Sequence, residues 1–207
     1  MLRQTTFNKS AAAWQDLLPE GGKEVAFIGR SNCGKSSTLN ILCGQRKLAR
    51  TSRTPGRTTL LNFFQVEPNR WLVDLPGYGF ARASAKLQET WSDLVSRYLS
   101  TRNSLNGIIL IMDIRHPLMP LDQDVLEWLI PLNIPLHILL NKADKIGYGA
   151  QQKTFLQVKK ALEKMNGSIG LQTFSAHTGL NLDILQNVIE TWLDLHKTPD
   201  PSTCHPR

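Results

Sequence analysis

The stretch "GRSNCGKSS" (residues 29–37) follows directly on the apolar run "EVAFI" and is the most informative part of the chain. It satisfies the pattern G-x-x-x-x-G-K-[ST], in which glycines let backbone amide groups approach a phosphate closely. The helix predicted from Lys35 to Leu42 points its positive N-terminal end at the same anion. We expect Lys35 to reach the β- and γ-phosphates of a nucleotide and the Ser36 hydroxyl to bind Mg²⁺. The alternative is an ordinary strand-to-helix turn that happens to carry these residues.

Apolar runs alternate with segments of helical periodicity along most of the chain. Six apolar runs predict strands, at residues 23–29, 60–66, 70–74, 107–113, 135–141 and 171–175. Three segments with apolar residues three and four apart predict helices; they contain Leu87, Trp91, Leu94, Val95 and Tyr98, then Leu121, Val125, Leu126 and Leu129, and finally Leu185, Val188, Ile189, Trp192 and Leu193. The short link "EPN" between the second and third strands favours a hairpin. The sequence therefore predicts an α/β fold, a six-stranded, mostly parallel sheet with one antiparallel edge strand and helices on both faces.

The length of 207 residues fits one domain, which we place at residues 23–195. Residues 1–22 then form an N-terminal extension, and residues 196–207, with three prolines and no apolar pattern, are expected to be a disordered tail. The start lacks a signal-peptide pattern, and no apolar run has the length of a membrane span. Three cysteines without a CxxC pair argue against a disulfide framework. We therefore expect a soluble, cytoplasmic protein.

Two short segments in the C-terminal half predict recognition of guanine. In "LLNKAD", the carboxylate of Asp144 can accept hydrogen bonds from guanine N1–H and the exocyclic amine, a donor pair that adenine lacks. Asn141 can bond the other side of the ring, and the aliphatic stem of Lys142 can cover its face. In "FSAHTG", the backbone N–H of Ala176 can bind guanine O6. The alternative for Asp144 alone is a helix N-cap.

Two further segments are placed to sense a γ-phosphate. In "VDLPGYG", Asp74 is positioned to hold Mg²⁺ through a water, and the Gly77 N–H is positioned to bind the γ-phosphate. A strand capped by a Pro-Gly turn is the alternative. In "SRTPGRTTLLNFF", the hydroxyl of Thr58 or of Thr59 can reach Mg²⁺ only while the γ-phosphate is present. We favour Thr58, because the strand is predicted to begin right after it.

In their order and spacing, the segments "GRSNCGKSS", "TPGRTTLLNFF", "DLPGYGFA", "NKAD" and "FSA" resemble the translation-factor-type P-loop GTPases. Within that class they resemble the YihA/YsxC (EngB) family of bacterial ribosome-associated GTP-binding proteins, from about Val25 to Trp192. The resemblance implies a Ras-like fold that binds GTP and GDP with Mg²⁺ and hydrolyses GTP. It also implies association with the large ribosomal subunit, its rRNA and ribosomal proteins, during assembly, and a role in cell division and septation.

The resemblance further implies a role for each residue of these segments. The phosphates are bound by Gly29, Arg30, Ser31, Asn32, Cys33, Gly34, Lys35 and Ser36. The first switch contains Gly56, Arg57, Thr58, Thr59 and Leu60, and the second contains Asp74, Leu75, Pro76 and Gly77. The base is bound by Asn141, Lys142, Ala143 and Asp144, with support from Phe174, Ser175 and Ala176. Mg²⁺ is held by Ser36 and Thr58, and the catalytic residues are Lys35, Thr58 and Gly77.

Three residues within these segments raise further expectations. Cys33 stands where the family usually has a small apolar residue; a thiol at a helix N-terminus can have a lowered pKa, but a small side chain facing away from the ligand is the favoured account. Tyr78 follows Gly77, where many small GTPases orient water with glutamine, so we expect slow intrinsic hydrolysis that a partner completes. Asn32 either holds a K⁺ ion between the phosphates or only braces the loop.

A run of basic residues overlaps the first switch, in a chain of net charge +7. It comprises Arg46, Lys47, Arg50, Arg53 and Arg57, with no carboxylate between residues 46 and 57. Attraction to an RNA backbone is the functional interpretation, and a solvated charge run is the alternative.

The favoured function is a GTPase switch in ribosome assembly. The main alternative is a nucleotide-gated module that acts directly on a division protein, with incidental hydrolysis. A P-loop kinase or ATPase is disfavoured by Asp144, which matches guanine. Nothing in the sequence calls for a dimer, so a monomer is expected.

Overall fold

The structure, a computed structural model, describes residues 1–49, 60–78, 93–165 and 169–195. Within these residues the strands are β1 (Thr6–Ala11), β2 (Lys23–Gly29), β3 (Leu61–Glu67), β4 (Arg70–Asp74), β5 (Leu105–Asp113), β6 (Leu136–Asn141) and β7 (Ile169–Thr173). They form one seven-stranded sheet in the order β1-β3-β4-β2-β5-β6-β7. Pairing is parallel from β4 through β2, β5 and β6 to β7, whereas β3 is antiparallel to both β4 and β1.

The predicted fold class is confirmed, with one strand more than the six expected. The additional strand, β1, lies in the segment predicted as an N-terminal extension and pairs with β3, from Thr6 opposite Gln65 to Ala11 opposite Leu61. The predicted antiparallel edge strand, β3, is therefore one position in from the edge, and β1 and β7 are the edges. The segment "TFNKSA" lacks a regular apolar alternation that would reveal a strand. Pairing with β3 stabilises the extended conformation of this segment, although its local sequence does not favour one. Without β1, β3 would be an edge strand with unpaired backbone groups that can pair with another segment.

The α-helices of the described residues are α1 (Lys35–Leu42), α2 (Asp93–Thr101), α3 (Pro120–Leu129), α4 (Tyr148–Leu162) and α5 (Leu182–Trp192). Short 3₁₀-helices cover Leu2–Gln4, Trp14–Asp16, Ile130–Leu132 and Ala143–Lys145. The first helix has the predicted bounds, whereas Leu87 and Trp91 of the next predicted helix, and the predicted tail at 196–207, lie outside the described residues. α4 was not predicted, because only Val158 and Leu162 in its 15 residues are buried and the apolar stripe is narrow. None of the described helices combines the length and apolarity needed to cross a membrane.

Successive residues of β2 pack into two different cores, one on each face of the sheet. Ala26 and Ile28 belong to the core that α2, α3 and α4 cover, and Val25 and Phe27 belong to the core that α1 and α5 cover. All four side chains are fully buried. A buried Val, Ile or Phe side chain stabilises a fold by roughly 2 kcal/mol. Burial on both faces explains why this strand is apolar almost throughout, as expected for a central parallel strand.

The carboxyl ends of the central strands meet at one edge of the sheet. Phe27 on β2 pairs with Asp74 on β4, and Asp113 on β5 pairs with Asn141 on β6. Because parallel strands end at the same edge, segments that are distant in the sequence come together there. The loop at residues 29–36 and the segments that begin at Asp74 and Asn141 all leave the sheet at this edge.

Candidate functional site

The loop at residues 29–36 is packed so closely that its two glycines are sterically required. Gly34 has φ +100°, and a Cβ atom added to it would lie 2.3 Å from the Nδ2 atom of Asn141. A Cβ atom on Gly29 would lie 2.6 Å from the carbonyl oxygen of Ile111. A side chain at either position would therefore push the loop off β5 and β6. The loop thus leads directly into the N-terminal end of α1, where an anion is favoured.

Lys35, the first residue of α1, forms an ion pair with Asp74 at the end of β4. The two side chains are only 14% and 11% exposed. This pair joins the cation that is predicted to bind phosphates to the carboxylate that is predicted to hold Mg²⁺. A phosphate group would compete with Asp74 for the ammonium of Lys35, since both are oxygen anions.

The oxygen ligands near this ion pair suit Mg²⁺ bound jointly with phosphates. Asp74 supplies a carboxylate, and Ser36 supplies a hydroxyl one residue beyond Lys35. Among the described residues, no group of three or more His, Cys, Asp or Glu side chains lies close enough together to hold a metal by itself. Mg²⁺ usually takes one or two protein oxygens together with substrate phosphates and water. The donor set therefore fits the ion in the presence of a nucleotide.

Asn141 braces three segments of the site. Its Nδ2 donates to the carbonyl oxygen of Cys33 at 2.8 Å, and its Oδ1 accepts from the Ala176 N–H at 3.0 Å. Its side chain is almost fully buried. The predicted contacts of Asn141 and Ala176 with the base stay predictions, and in this structure the two groups are bonded to each other. The brace places the predicted base support beside the phosphate loop.

Lys142 also contacts the phosphate loop, and two residues that the sequence analysis missed hold it there. Its Nζ donates to the carbonyl oxygen of Asn32 at 2.7 Å and lies 3.0 Å from an Asp113 oxygen. Arg115 donates to both oxygens of Asp113, at 2.9 and 2.7 Å. Although burial favours the neutral acid, the hydrogen bonds from Arg115 and Lys142 hold the pKa of Asp113 well below its ordinary value. Asp113 could have been found by the signal that revealed Asp74, a carboxylate that ends an apolar strand.

Asp144 is held as an ionised acceptor by the second base segment. The Ser175 hydroxyl donates to its Oδ1 at 2.6 Å, and the Lys145 ammonium lies 3.1 Å from its Oδ2. The hydrogen bond from Ser175, more than the contact with Lys145, lowers the pKa of Asp144. Ser175 also accepts the N–H groups of residues 177 and 178 at 3.2 and 3.1 Å, which fixes its hydroxyl. An ionised carboxylate accepts hydrogen bonds only, as the two donors of guanine require.

Three further residues that were predicted in the base and switch segments serve the packing. Ala143 and Phe174 are fully buried, and the Ala143 N–H donates to the Phe174 carbonyl at 3.0 Å. Leu75 is buried, and its N–H donates to the Phe27 carbonyl at 3.1 Å. Pro76 separates Leu75 from Gly77. Of the predicted first switch, Gly56, Arg57, Thr58 and Thr59 lie outside the described residues, and Leu60 is the first described residue after them.

The segment that is predicted to be the second switch lies directly against residues 29–36. A Cβ atom added to Gly77 would lie 3.3 Å from the Gly29 carbonyl oxygen and 3.4 Å from the Ser31 nitrogen. The Tyr78 N–H donates to the Gly29 carbonyl at 3.3 Å, and the Ser31 N–H donates to the Tyr78 carbonyl at 3.2 Å. A ligand that moves either segment must therefore act on the other.

The Tyr78 side chain points into the protein. Its hydroxyl donates to the Asp122 Oδ1 on α3 at 2.8 Å, and Arg30 Nε lies 3.7 Å from the same oxygen. Tyr78 is 2% exposed and Asp122 is 1% exposed. Burial, and next the charge of Asp122, raise the pKa of the Tyr78 phenol well above its ordinary value. The phenol is therefore a fixed donor to Asp122.

Cys33 is a packed, protonated thiol in this structure. It is 3% exposed, and burial raises its pKa to about 11 in spite of the nearby Lys35 ammonium. The thiolate is the reactive form of cysteine, so a raised pKa makes the group inert at neutral pH. The geometry supports the favoured account, in which Cys33 fills space behind the loop.

We therefore expect iodoacetamide to leave the affinity for GDP within twofold of its starting value, because Cys33 and Cys43 are both buried with pKa values near 11. Fluorescent GDP titrations before and after treatment, with mass spectrometry to find the labelled cysteine, would measure this. Labelling of Cys33 that removes GDP binding, and that prior GDP prevents, would contradict it.

Comparisons with known proteins match most of the chain. The family model described as a 50S ribosome-binding GTPase matches residues 24–142. A probable GTP-binding protein EngB from Coxiella burnetii (strain RSA 331 / Henzerling II) is 46% identical over 190 residues, which cover 92% of this chain and 93% of the relative. A probable GTP-binding protein EngB from Xanthomonas campestris pv. campestris (strain 8004) is 45% identical over 200 residues, which cover 96% of this chain and 97% of the relative.

Solved structures show the same fold. The crystal structure of a probable GTP-binding protein EngB matches with a TM-score of 0.64 and 25% identity, covering 84% of this chain and 100% of that chain. The crystal structure of Era in complex with MgGDPNP and nucleotides 1506-1542 of 16S ribosomal RNA matches with a TM-score of 0.65 and 25% identity. That match covers 89% of this chain and 61% of the Era chain.

Proposed function

The chain belongs to the EngB family of GTP-binding proteins, and on that premise we propose that it is a slow, nucleotide-dependent switch in the assembly of the large ribosomal subunit. The observation that carries the switch is the contact of the second switch with the phosphate loop at Gly77, together with the Lys35–Asp74 ion pair. Both contacts support the proposal, because they join the predicted γ-phosphate sensors to the loop that is predicted to bind the phosphates.

Nucleotide binding is proposed to rearrange the Lys35–Asp74 pair. The ammonium of Lys35 would turn to the β- and γ-phosphate oxygens, and Asp74, released from the pair, would help to hold Mg²⁺ through a water. Ser36 and Thr58 would hold the Mg²⁺ ion, which neutralises phosphate charge when it is bound. Because Asp74 and Gly77 lie on one short segment, the terminal phosphate decides where that segment sits.

Hydrolysis follows from positioning and charge stabilisation. A water attacks the γ-phosphorus as the bond to the oxygen between the β- and γ-phosphates breaks, and negative charge develops on the phosphate oxygens. Lys35 and the Gly77 N–H stabilise that charge, with the amides of the loop. Thr58, the third predicted catalytic residue, lies outside the described residues.

We expect slow hydrolysis by the chain alone. The side chain after Gly77 is Tyr78, whose hydroxyl is bonded to Asp122 at 2.8 Å and cannot orient a water as glutamine does. A partner is therefore proposed to complete the site. Single-turnover GTP hydrolysis, measured with and without large ribosomal subunits, tests this. Rapid hydrolysis without a partner would contradict it.

Asn32 is proposed to hold a K⁺ ion beside the phosphates. Asn32 has φ 63°, and its backbone carbonyl accepts a hydrogen bond from the Lys142 ammonium. Its side-chain amide makes no hydrogen bond with any described residue. The amide is thus not used to brace the described part of the loop, and its oxygen is available to a cation. Equal hydrolysis rates in KCl and NaCl at the same ionic strength would remove this proposal.

The ribosome is proposed as the partner on three grounds. The matching family model is described as ribosome-binding, and the similar Era structure contains ribosomal RNA. Arg46 and Lys47, the first two cations of the basic run, are exposed in the segment that follows α1. A cytoplasmic location and a role in division and septation are proposed from the family resemblance alone.

Co-sedimentation with large ribosomal subunits, with GDP or a non-hydrolysable GTP analogue, tests the proposal. We expect more protein in the pellet with the analogue, and less as salt rises, because cations meet phosphates in the contact. A Lys35→Ala variant, which should not respond to the nucleotide, is the control. Binding that is insensitive to the nucleotide or to the salt concentration would contradict the proposed nucleotide-dependent switch. Binding without stimulated hydrolysis would favour the alternative, a nucleotide-gated module with incidental hydrolysis.

A further inference from the structure

A groove separate from the phosphate loop lies between β1 and the segment that follows α1. Its volume is about 560 Å³, within the range of small-ligand sites. Its lining consists of Thr5, Thr6, Phe7, Gln45, Arg46, Lys47 and Leu48. The lining has two cations and no carboxylate, so its charge complements an anion.

The basic wall of the groove is held by hydrogen bonds to a buried side chain of α1. Asn40 is 8% exposed; its Nδ2 donates to the carbonyl oxygens of Arg46 and Ala49 at 3.3 and 3.0 Å, and its Oδ1 accepts the Ala49 N–H at 2.8 Å. Gln45 ties the same segment to the N-terminal residues, because its Nε2 donates to the Thr5 carbonyl at 2.7 Å. The backbone that carries the cations is thus fixed on both sides.

The other wall presents an aromatic ring to solvent. Phe7 on β1 is 53% exposed. Its ring packs edge-on against Phe64, with centroids 5.8 Å apart and an interplanar angle of 68°. This contact holds the ring in place while more than half of the side chain stays accessible. An exposed aromatic ring beside cations is the combination that binds single-stranded nucleic acid.

We propose that this groove binds one nucleotide of single-stranded RNA, with its base stacked on Phe7 and its flanking phosphates paired with Arg46 and Lys47. The choice of RNA as the ligand rests on the proposed ribosomal function. The location of the site rests on the lining of the groove alone. A protein strand added to β1 is disfavoured, because a register shift between Phe7 and Lys9 interrupts the pairing of this edge strand. Bulges and lysines on an edge strand hinder the addition of a further strand.

A fluorescent single-stranded RNA 12-mer and a duplex RNA of equal length are the probes, and anisotropy titration at several salt concentrations is the measurement. We expect Phe7→Leu to weaken binding of the single strand by roughly tenfold, because one base loses its stacking partner. Replacing Arg46 and Lys47 together with glutamine should reduce the slope of log affinity against log salt by about 1.4, since each phosphate contact on a single strand contributes about 0.7. The duplex should bind more weakly and be insensitive to Phe7→Leu, because its bases are stacked internally.

The matched controls are Tyr148→Leu and a Lys159→Gln, Lys160→Gln double variant on α4. Tyr148 is 75% exposed, and α4 packs beside β7, at the opposite edge of the sheet from β1. Both controls should bind the 12-mer as the unaltered chain does. A 12-mer that carries 4-thiouridine should crosslink to the segment around Phe7.

The outcomes separate this proposal from the proposed function. Equal binding of the 12-mer by the groove variants and the controls would overturn the groove as an RNA site. If those variants nevertheless lost binding to large subunits, the groove would belong to a protein contact instead, which also overturns the proposal. Failure of the unaltered chain to sediment with large subunits would count against the proposed function only, since the 12-mer titration decides the groove independently.

Discussion

Replacing Lys35 with alanine is expected to weaken GTP binding by roughly a hundredfold and to abolish measurable GTP hydrolysis. Removing one partner of a charge pair that is largely shielded from water costs about 2–5 kcal/mol, which is consistent with an effect of this size. The remaining carboxylate of Asp74 would repel the phosphates and add to the loss. Isothermal titration calorimetry with GDP and a non-hydrolysable GTP analogue, both with Mg²⁺, would measure the change.

A matched control of the same residue type exists on β2, the strand that precedes the phosphate loop. Lys23 begins β2 and forms an ion pair with Asp194, and their side chains are 30% and 48% exposed. Because Lys23 lies at the amino end of β2, whereas the site lies at the carboxyl end, Lys23→Ala should leave nucleotide affinity unchanged. An exposed ion pair is worth about 0–1 kcal/mol, so the stability of this variant should hardly change. Normal GTP affinity in Lys35→Ala would refute the assignment of the phosphate loop.

Replacing Asp144 with asparagine is expected to weaken GDP binding by at least about a hundredfold and to create binding of xanthosine diphosphate. The wild-type carboxylate offers only acceptors to the N1–H and amine of guanine, whereas asparagine offers an NH₂ group to the carbonyl oxygen at that position of xanthine. A site built to pair with a specific donor rejects a mismatched ligand strongly, because buried polar groups are then left unpaired. Competition titrations with the two diphosphates would measure the exchange.

Asp183→Asn provides the control for the base exchange. Asp183 is exposed in the first turn of α5, so the same chemical change there should leave both affinities unaltered. Circular dichroism should show that both variants are folded, since each change keeps the size of the side chain. Loss of GDP binding by Asp144→Asn without any gain of xanthosine diphosphate would indicate that Asp144 acts through the loop at Ser175 and does not read the base.

Much of the fold was predictable because most of the elements have strong local signals. The bounds of β2, β4 and α1 were predicted as the structure has them, since each combines an apolar pattern with a clear start or stop. β1 and α4 escaped prediction for the opposite reason. β1 is polar in its middle, and α4 buries only two of its side chains. Pairing with β3 and packing against the sheet therefore stabilise these two elements, whose local sequence patterns are weak.

The sequence by itself determined the chemistry of the site. The spacing of glycines, lysine and serine at 29–36 identified a phosphate loop, and Asp144 indicated guanine, because backbone freedom and hydrogen-bonding capacity are properties of single residues and short motifs.

Only the tertiary structure decided how these groups are held. Asn141 reaches the Cys33 carbonyl across 108 positions of sequence, and the Tyr78 hydroxyl donates to Asp122 on α3. Asp113 and Arg115 emerged in the same way, as the support of Lys142. These contacts depend on the strand order and register that bring parallel strand ends to one edge. Strand order and register depend on packing in both cores at the same time. A short stretch of sequence therefore does not indicate which distant residues it will contact.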